Sequence, residues 1–262
     1  MRFKLTLVID KKQYGSIIPI NYQYEQSAVI YNTLSRASEK FSLWLHENGY
    51  QLDSGKRFKL FTYSPLKIEK RKILKDTQRL QILSDTVEWQ ISFLCERSTQ
   101  QFIQGVFSQQ VFELGDRLSR VRFRIQSVEL LPTPIFTEEM EFVTMSPIFI
   151  RYKNSDGKVS HLSPTDERSK NLIKSNLLSK YEAYNKLPYS DDFDFNFELL
   201  DEPKQKLITI KSGTPEETHI VCYLCKFSMC APIELMKIAY ESGIGNENSQ
   251  GFGCIRVEKS NN

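Results

Sequence analysis

The chain has 262 residues, 40% hydrophobic and 26% charged, with 35 Lys and Arg against 32 Asp and Glu for a net charge of +3. That supports one large folded domain or two of ordinary size, near 130 residues each. No stretch holds 18 uncharged apolar residues, which excludes a helical membrane span, and the near-neutral balance does not by itself point to nucleic acid.

Arg2 to Ile9 alternates, with Phe3, Leu5, Leu7 and Ile9 on one face and Arg2, Lys4, Thr6 and Val8 on the other, which predicts a strand. This start leaves no room for a signal-peptide core, so a cytoplasmic protein is expected. A helical region is predicted from Gln23 to Glu47, with a stripe of Tyr24, Ala28, Tyr31, Leu34, Ala37, Phe41 and Trp44 turned to the core. Strands follow at Arg57 to Tyr63 and Thr86 to Leu94, a helix at Ser98 to Gln110, and a strand at Arg120 to Val128. The order is β-α-β-β-α-β.

Pro132 and Pro134 mark a linker between units 1–131 and 135–262. The second half repeats the plan. A strand is predicted at Glu141 to Arg151, a helix at Thr165 to Tyr184, and strands at Phe193 to Leu199, Lys206 to Lys211 and Ile220 to Phe227. A helix at Pro232 to Ser242, a glycine-dense loop and a strand at Gly253 to Val257 complete it. Two copies of this order predict an α+β protein of tandem ferredoxin-like domains, each an antiparallel sheet with helices on one face. The other face of each sheet is left for the second domain or for a ligand.

Charge and cysteine say less. Lys70, Arg71 and Lys72 lie in a basic run, while Asp191, Asp192, Asp194, Glu198, Asp201 and Glu202 form an acidic one. Lys4 faces away from the core on the first strand, and Arg122 and Arg124 do so on the last strand of the first unit. Those strands are neighbours in this fold, so the three cations call for a counter-ion: RNA phosphate, or solvent alone if they are edge residues. The five cysteines fit free thiols. Cys222 and Cys225 have metal-site spacing, but one predicted strand puts them on opposite faces and no second pair exists, so no metal is expected.

The loop from Gly243 through Gly245 and Gly251 to Gly253 spends four of the chain's 11 glycines. Glycine permits positive φ and close backbone approach, so a tight structural turn and an anion-binding nest both fit. Of three histidines, His46 falls one position off the helical stripe, where it is surface decoration or a catalyst. Tyr31 lies on the stripe, the usual place for a core aromatic, and Lys59 lies in the following strand. Together the three could cleave RNA, which needs a base for the 2′-OH, an acid for the 5′-oxygen and positive charge at the phosphate. On one continuous helix Tyr31 and His46 would stand about 22 Å apart. Sharing a site requires a break, for which Ser35 to Ser38 is suited, with Ser38 capping a second helix.

Met1-Arg2-Phe3, Ile30-Tyr31-Asn32, Leu45-His46-Glu47, Lys59 to Ser64, Phe142 to Ile148 and the glycine loop together resemble the CRISPR-associated endoribonucleases of the sixth Cas family, in the RAMP superfamily. The resemblance spans nearly the whole chain. It implies tandem ferredoxin-like domains and cleavage of CRISPR repeat RNA into guide RNAs, with 5′-OH and 2′,3′-cyclic phosphate ends and no metal or other cofactor. It also implies a tyrosine, histidine and lysine site at Tyr31, His46 and Lys59, with Lys56 as a competing lysine. Lys4, Arg122, Arg124, Lys70, Arg71, Lys72 and the four loop glycines are the candidate RNA contacts. A non-catalytic RNA-binding subunit of a CRISPR effector complex is the alternative. Partnership with other effector subunits and a homodimer stay open.

Overall fold

A computed structural model of the protein describes residues 1–258. The first unit runs β1 (Arg2–Ile9), α1 (Gln23–Ala37), α2 (Glu39–Glu47), β2 (Phe61–Tyr63), β3 (Thr86–Phe93), α3 (Glu96–Ser108), β4 (Val111–Gly115) and β5 (Arg120–Leu130). Its sheet has the order β2-β3-β1-β5-β4, with every pairing antiparallel. Removing the edge strand β4 leaves the ferredoxin-like order. The expected inward residues of β3 and β5 (Val87, Trp89, Ile91, Phe93, Val121, Phe123 and Ile125) are all buried.

The second unit runs β6 (Glu139–Thr144), α4 (Glu167–Asn185), β7 (Asn196–Leu199), β8 (Lys226–Cys230), α5 (Ile233–Ser242) and β9 (Ile255–Val257). The sheet order β7-β8-β6-β9 repeats the first arrangement. Two hairpins are added, one pairing 150–153 with 159–162 and the other Lys204–Ile210 with Thr218–Leu224.

Four sequence expectations change. The strand expected from Arg57 to Tyr63 is interrupted at Lys59 and Leu60, where Leu60 turns left-handed; Arg57–Phe58 pairs with Tyr50–Gln51 and only Phe61–Tyr63 joins the sheet. The run Ile220 to Phe227 is two elements: Thr218–Leu224 belongs to the added hairpin and Lys226–Cys230 to the sheet. The apolar run is continuous because both pieces are buried, although against different cores. Cys222 joins a small cluster with Phe149 and Phe252, whereas Cys225 joins the main core of the second unit. The strand expected from Glu141 to Arg151 likewise breaks around Pro147, which has no N–H for a ladder. The predicted stripe on α1 is rotated: Gln26, Val29, Ile30, Thr33 and Leu34 face the core, while Tyr24 and Ala28 are exposed. Val29, Ile30 and Leu34 form a narrower apolar set that wins the interior. The aromatic flank is released to a cleft.

The open face of the first sheet is partly covered by the second unit. Arg2, Ser92 and Thr62 lie side by side across β1, β3 and β2 on that face, and all three are buried. The Arg2 guanidinium donates to the Ile255 carbonyl at 2.7 Å and the Tyr240 carbonyl at 2.6 Å, and stacks 3.7 Å from the Tyr240 ring centroid. Thr62 Oγ1 donates to the Phe252 carbonyl at 3.3 Å and Ser92 Oγ to the Met1 carbonyl at 3.4 Å, so the second unit's backbone takes up part of this buried polar row. Phe58, Leu60, Leu94 and Cys95 of the first unit cross the boundary the other way and complete the second unit's core.

Candidate active site

The helical region breaks at Ser38. Its backbone is extended, with φ −158° and ψ 102°, and its Oγ accepts the Phe41 N–H at 3.2 Å, which caps α2. Ser42 Oγ donates to the Tyr31 carbonyl at 2.9 Å and ties the second helix back onto the first. The turn brings the Tyr31 and His46 rings edge to face, with centroids 5.0 Å apart. Phe61 supports the other side of Tyr31 at 5.7 Å.

Lys59 is delivered by a different device. Its amine donates to the His46 carbonyl, and the Arg57 guanidinium donates to the Glu47 carbonyl at 2.9 Å. Both cations thus satisfy the free carbonyls and the negative dipole end of α2. The next residue, Leu60, has φ 55°, left-handed for a residue with a side chain. That conformation costs about 1–2 kcal/mol. Burial of Leu60 in the second core, worth about 1.5–3 kcal/mol, offsets it. The flip sends Leu60 to one core and Phe61 to the other, with Lys59 left at the seam. Gly49 lies beneath, at φ 63°, where a Cβ would come 2.5 Å from the Phe58 carbonyl and 3.1 Å from Lys59 Cδ.

Tyr31, His46 and Lys59 therefore line one cleft of about 500 Å³. Its rim includes Lys211 from the added hairpin, and Glu247, Ser249 and Gln250 from the glycine loop. Burial pushes the Tyr31 phenol well above the usual tyrosine value, with the Ser249 hydroxyl pulling the other way. Burial, and then the charge of Arg57, lower the Lys59 amine to about 8, against an opposing pull from Glu47. His46 is exposed to the cleft. The site thus offers a neutral phenol, an accessible imidazole and an ammonium near its titration point. Among the described residues no group of three or more His, Cys, Asp or Glu could hold a metal ion.

Lys56 is elsewhere. Its amine lies 5.0 Å from the Phe58 ring centroid and 3.3 Å from Ser179 Oγ, in an adjoining recess. Lys4 does not form a patch with Arg122 and Arg124. It pairs with Glu129 at 2.7 Å, and a register shift between Thr6 and Leu7 puts Arg124 opposite Val8 instead. The counter-ion expected from phosphate is supplied within the protein, because β5 runs to Leu130 and carries Glu129 into register. Arg122 lies 5.1 Å from the Tyr14 ring centroid, and with Arg124 borders a separate depression. Lys70, Arg71 and Lys72 are exposed on and beside the Arg71–Leu74 strand, which pairs with Arg79–Ile82, and none lines the cleft.

All four loop glycines are buried with positive φ. Gly251 packs so closely on the first unit that a Cβ would meet Tyr63 Cε2 at 2.9 Å. Ser27 Oγ donates to the Ser249 carbonyl at 2.7 Å, and Asn248 Nδ2 donates to the Ile244 and Phe252 carbonyls at 3.0 Å each. From α4, the buried Lys180 amine donates to the Gly243 carbonyl and to Asn248 Oδ1, both at 2.6 Å. The glycines brace the boundary between units, and the residues between them line the cleft. Lys211, Ser249 and Arg57 escaped sequence reasoning. No periodicity marks them, and only the fold brings them to Tyr31.

Residues 17–129 match the family described as CRISPR-associated protein Cas6, N-terminal, and residues 131–257 match CRISPR associated protein Cas6, C-terminal. The CRISPR-associated endoribonuclease Cas6 1 of Methanocaldococcus jannaschii is 30% identical over 267 residues, covering 100% of this chain and 94% of that protein. The CRISPR-associated endoribonuclease Cas6 of Pyrococcus furiosus is 30% identical over 260 residues, covering 98% and 90%. Among solved structures, the product of a Cas6-related gene from Pyrococcus furiosus aligns with a TM-score of 0.81 at 25% identity over 99% of both chains. A RAMP protein binding different RNA substrates aligns with a TM-score of 0.80 at 25% identity, covering 99% of this chain and 100% of that one.

Proposed function

The chain belongs to the Cas6 family of CRISPR-associated proteins, and from that premise we propose that it cleaves CRISPR repeat RNA at the cleft of Tyr31, His46 and Lys59. The observation that carries this reading is the meeting of these three side chains in one cleft although 28 positions separate the first from the last. The 2′-oxygen of the nucleotide before the cut attacks the adjacent phosphorus. The 2′-O–P bond forms and the P–O5′ bond breaks, leaving a cyclic phosphate and a 5′-OH.

The chemistry of each group suggests its role. An imidazole exchanges protons near neutrality, so His46 takes the 2′-OH proton. The Tyr31 phenol, raised by burial, keeps its proton and gives it to the departing 5′-oxygen. Lys59 sets its ammonium beside the phosphate, where charge accumulates as the phosphorus becomes five-coordinate. No step needs a metal ion.

The test uses repeat RNA in EDTA, with the product ends mapped. Cleavage to a 5′-OH fragment and a cyclic phosphate is expected. A deoxyribose at the single nucleotide before the cut removes the nucleophile, so binding persists and cleavage stops. Full cleavage of the deoxy substrate refutes internal attack, and loss of native-RNA cleavage in EDTA refutes a metal-free route.

A further inference from the structure

Beside the catalytic cleft lies a second recess of about 250 Å³, formed by both units. Lys59, Glu247 and Ser249 line both spaces, so the two adjoin. Lys56, Arg57, Arg151 and Lys180 also line the recess, five cations in all with Lys59. Glu247 is the one acid in its wall, and it pairs with Arg151 at 3.4 Å.

The other cations have neutral partners. Lys180, only 2% exposed, donates to a carbonyl and an amide oxygen. Lys56 donates to the Ser179 hydroxyl, Arg57 and Lys59 to helix-end carbonyls. Lys56, Lys59 and Lys180 are all lowered, in each case first by burial and then by a neighbouring cation: Arg151, Arg57 and Lys56 respectively. Such crowding is unfavourable without an anion.

We propose that this recess is a phosphate subsite for the RNA strand, holding the phosphodiester next to the scissile one between Lys56 of the first unit and Arg151 of the second. Seated there, the strand would be fixed across the boundary between units, with Lys59 between two consecutive phosphates. Lys180 is too deep to touch the strand and serves the recess by holding the Gly243 carbonyl and Asn248 Oδ1 of the loop that walls it. This inference rests on the cleft being the place of cleavage, and its test separates the two ideas.

The experiment measures binding of repeat RNA made uncleavable by one deoxyribose before the cut. Methylphosphonate, which removes the charge, is placed in turn at each linkage around the cut. Wild-type protein should lose affinity about tenfold at one linkage adjacent to the scissile one, as for a charged hydrogen bond. In the variant Lys56→Ala with Arg151→Ala that loss should fall below twofold, while effects at other linkages persist. The salt slope of the variant should fall by about 1.4, or about 0.7 for each lost contact to single-stranded RNA. An unchanged slope and an unchanged methylphosphonate profile overturn the subsite. Native repeat RNA is cleaved in parallel by the wild type. Cleavage without the coupling removes the subsite alone, whereas no binding and no cleavage remove the parent reading as well.

Discussion

Lys59 gives the sharpest test of the site, because its amine is lowered to about 8 by burial and by Arg57. A lysine of ordinary value would stay charged throughout the working range of the reaction. At about 8, the ammonium is about 90% populated at pH 7 and about 10% at pH 9. If its charge stabilises the transition state, kcat/KM should fall about tenfold between those values. That quantity reports the free enzyme, so bound phosphate, which would raise the amine again, does not mask the effect. The assay is protein-limited cleavage of a short repeat RNA, with spontaneous hydrolysis at each pH subtracted. Tyr31 does not confuse the profile, since its phenol is held above this range. Lys59→Arg keeps the charge past pH 9 and should remove the fall, at some cost in geometry. Lys59→Met should be slow and lack the fall. A flat wild-type profile, or the same descending limb in Lys59→Arg, refutes a charged Lys59 at the reacting phosphate.

His46→Ala should slow single-turnover cleavage by roughly 10²- to 10⁴-fold with much smaller change in affinity, and equal rates would move the proton transfer elsewhere. Tyr31→Phe should cost less, and a 5′-bridging sulfur in the RNA, which leaves without a proton, should restore Tyr31→Phe but not His46→Ala; the opposite rescue pattern would exchange the two roles. Gly49→Ala forces a Cβ against the Phe58 carbonyl and Lys59, so cleavage should drop about tenfold or more while the fold survives, and a normal rate would show that the seam relaxes. Lys180→Met leaves the Gly243 carbonyl and Asn248 Oδ1 without a donor, at about 1–3 kcal/mol each in chemical denaturation. The folded Lys180 amine is lowered below its unfolded value, so wild-type stability should rise as pH climbs from the folded value toward 10.5; Lys180→Met should lose that contribution, and identical pH curves would contradict it.

The sequence carried the tandem plan and the helix break because both rest on local chemistry. Ser38 was legible as a cap since a serine before a new amphipathic turn satisfies a free N–H three residues on. The family resemblance then picked out Tyr31, His46 and Lys59 from many candidates. Long-range register was not legible. The Lys4–Glu129 pair depends on a bulge at Gln126 in β5 and on β5 extending to Leu130, neither of which alternation reveals. Cys222 and Cys225 were read as one strand because burial looks the same from either core. The glycine loop fitted a tight turn and an anion nest alike, because the positive φ that a nest requires is also what close packing of two units requires.

Lys59 stands between Phe58 and Leu60, and both of those side chains complete the core of the second unit. During synthesis the first unit leaves the ribosome before that core exists. Tyr31 and His46 can then take their places on a finished pair of helices, but the segment bearing Lys59 has nothing to grip. The glycine loop, which walls the cleft, follows every element of the second unit except its last strand. A polypeptide that stops before the second unit is therefore expected to cut repeat RNA far more slowly than the whole protein, with Tyr31 and His46 in place and Lys59 unanchored.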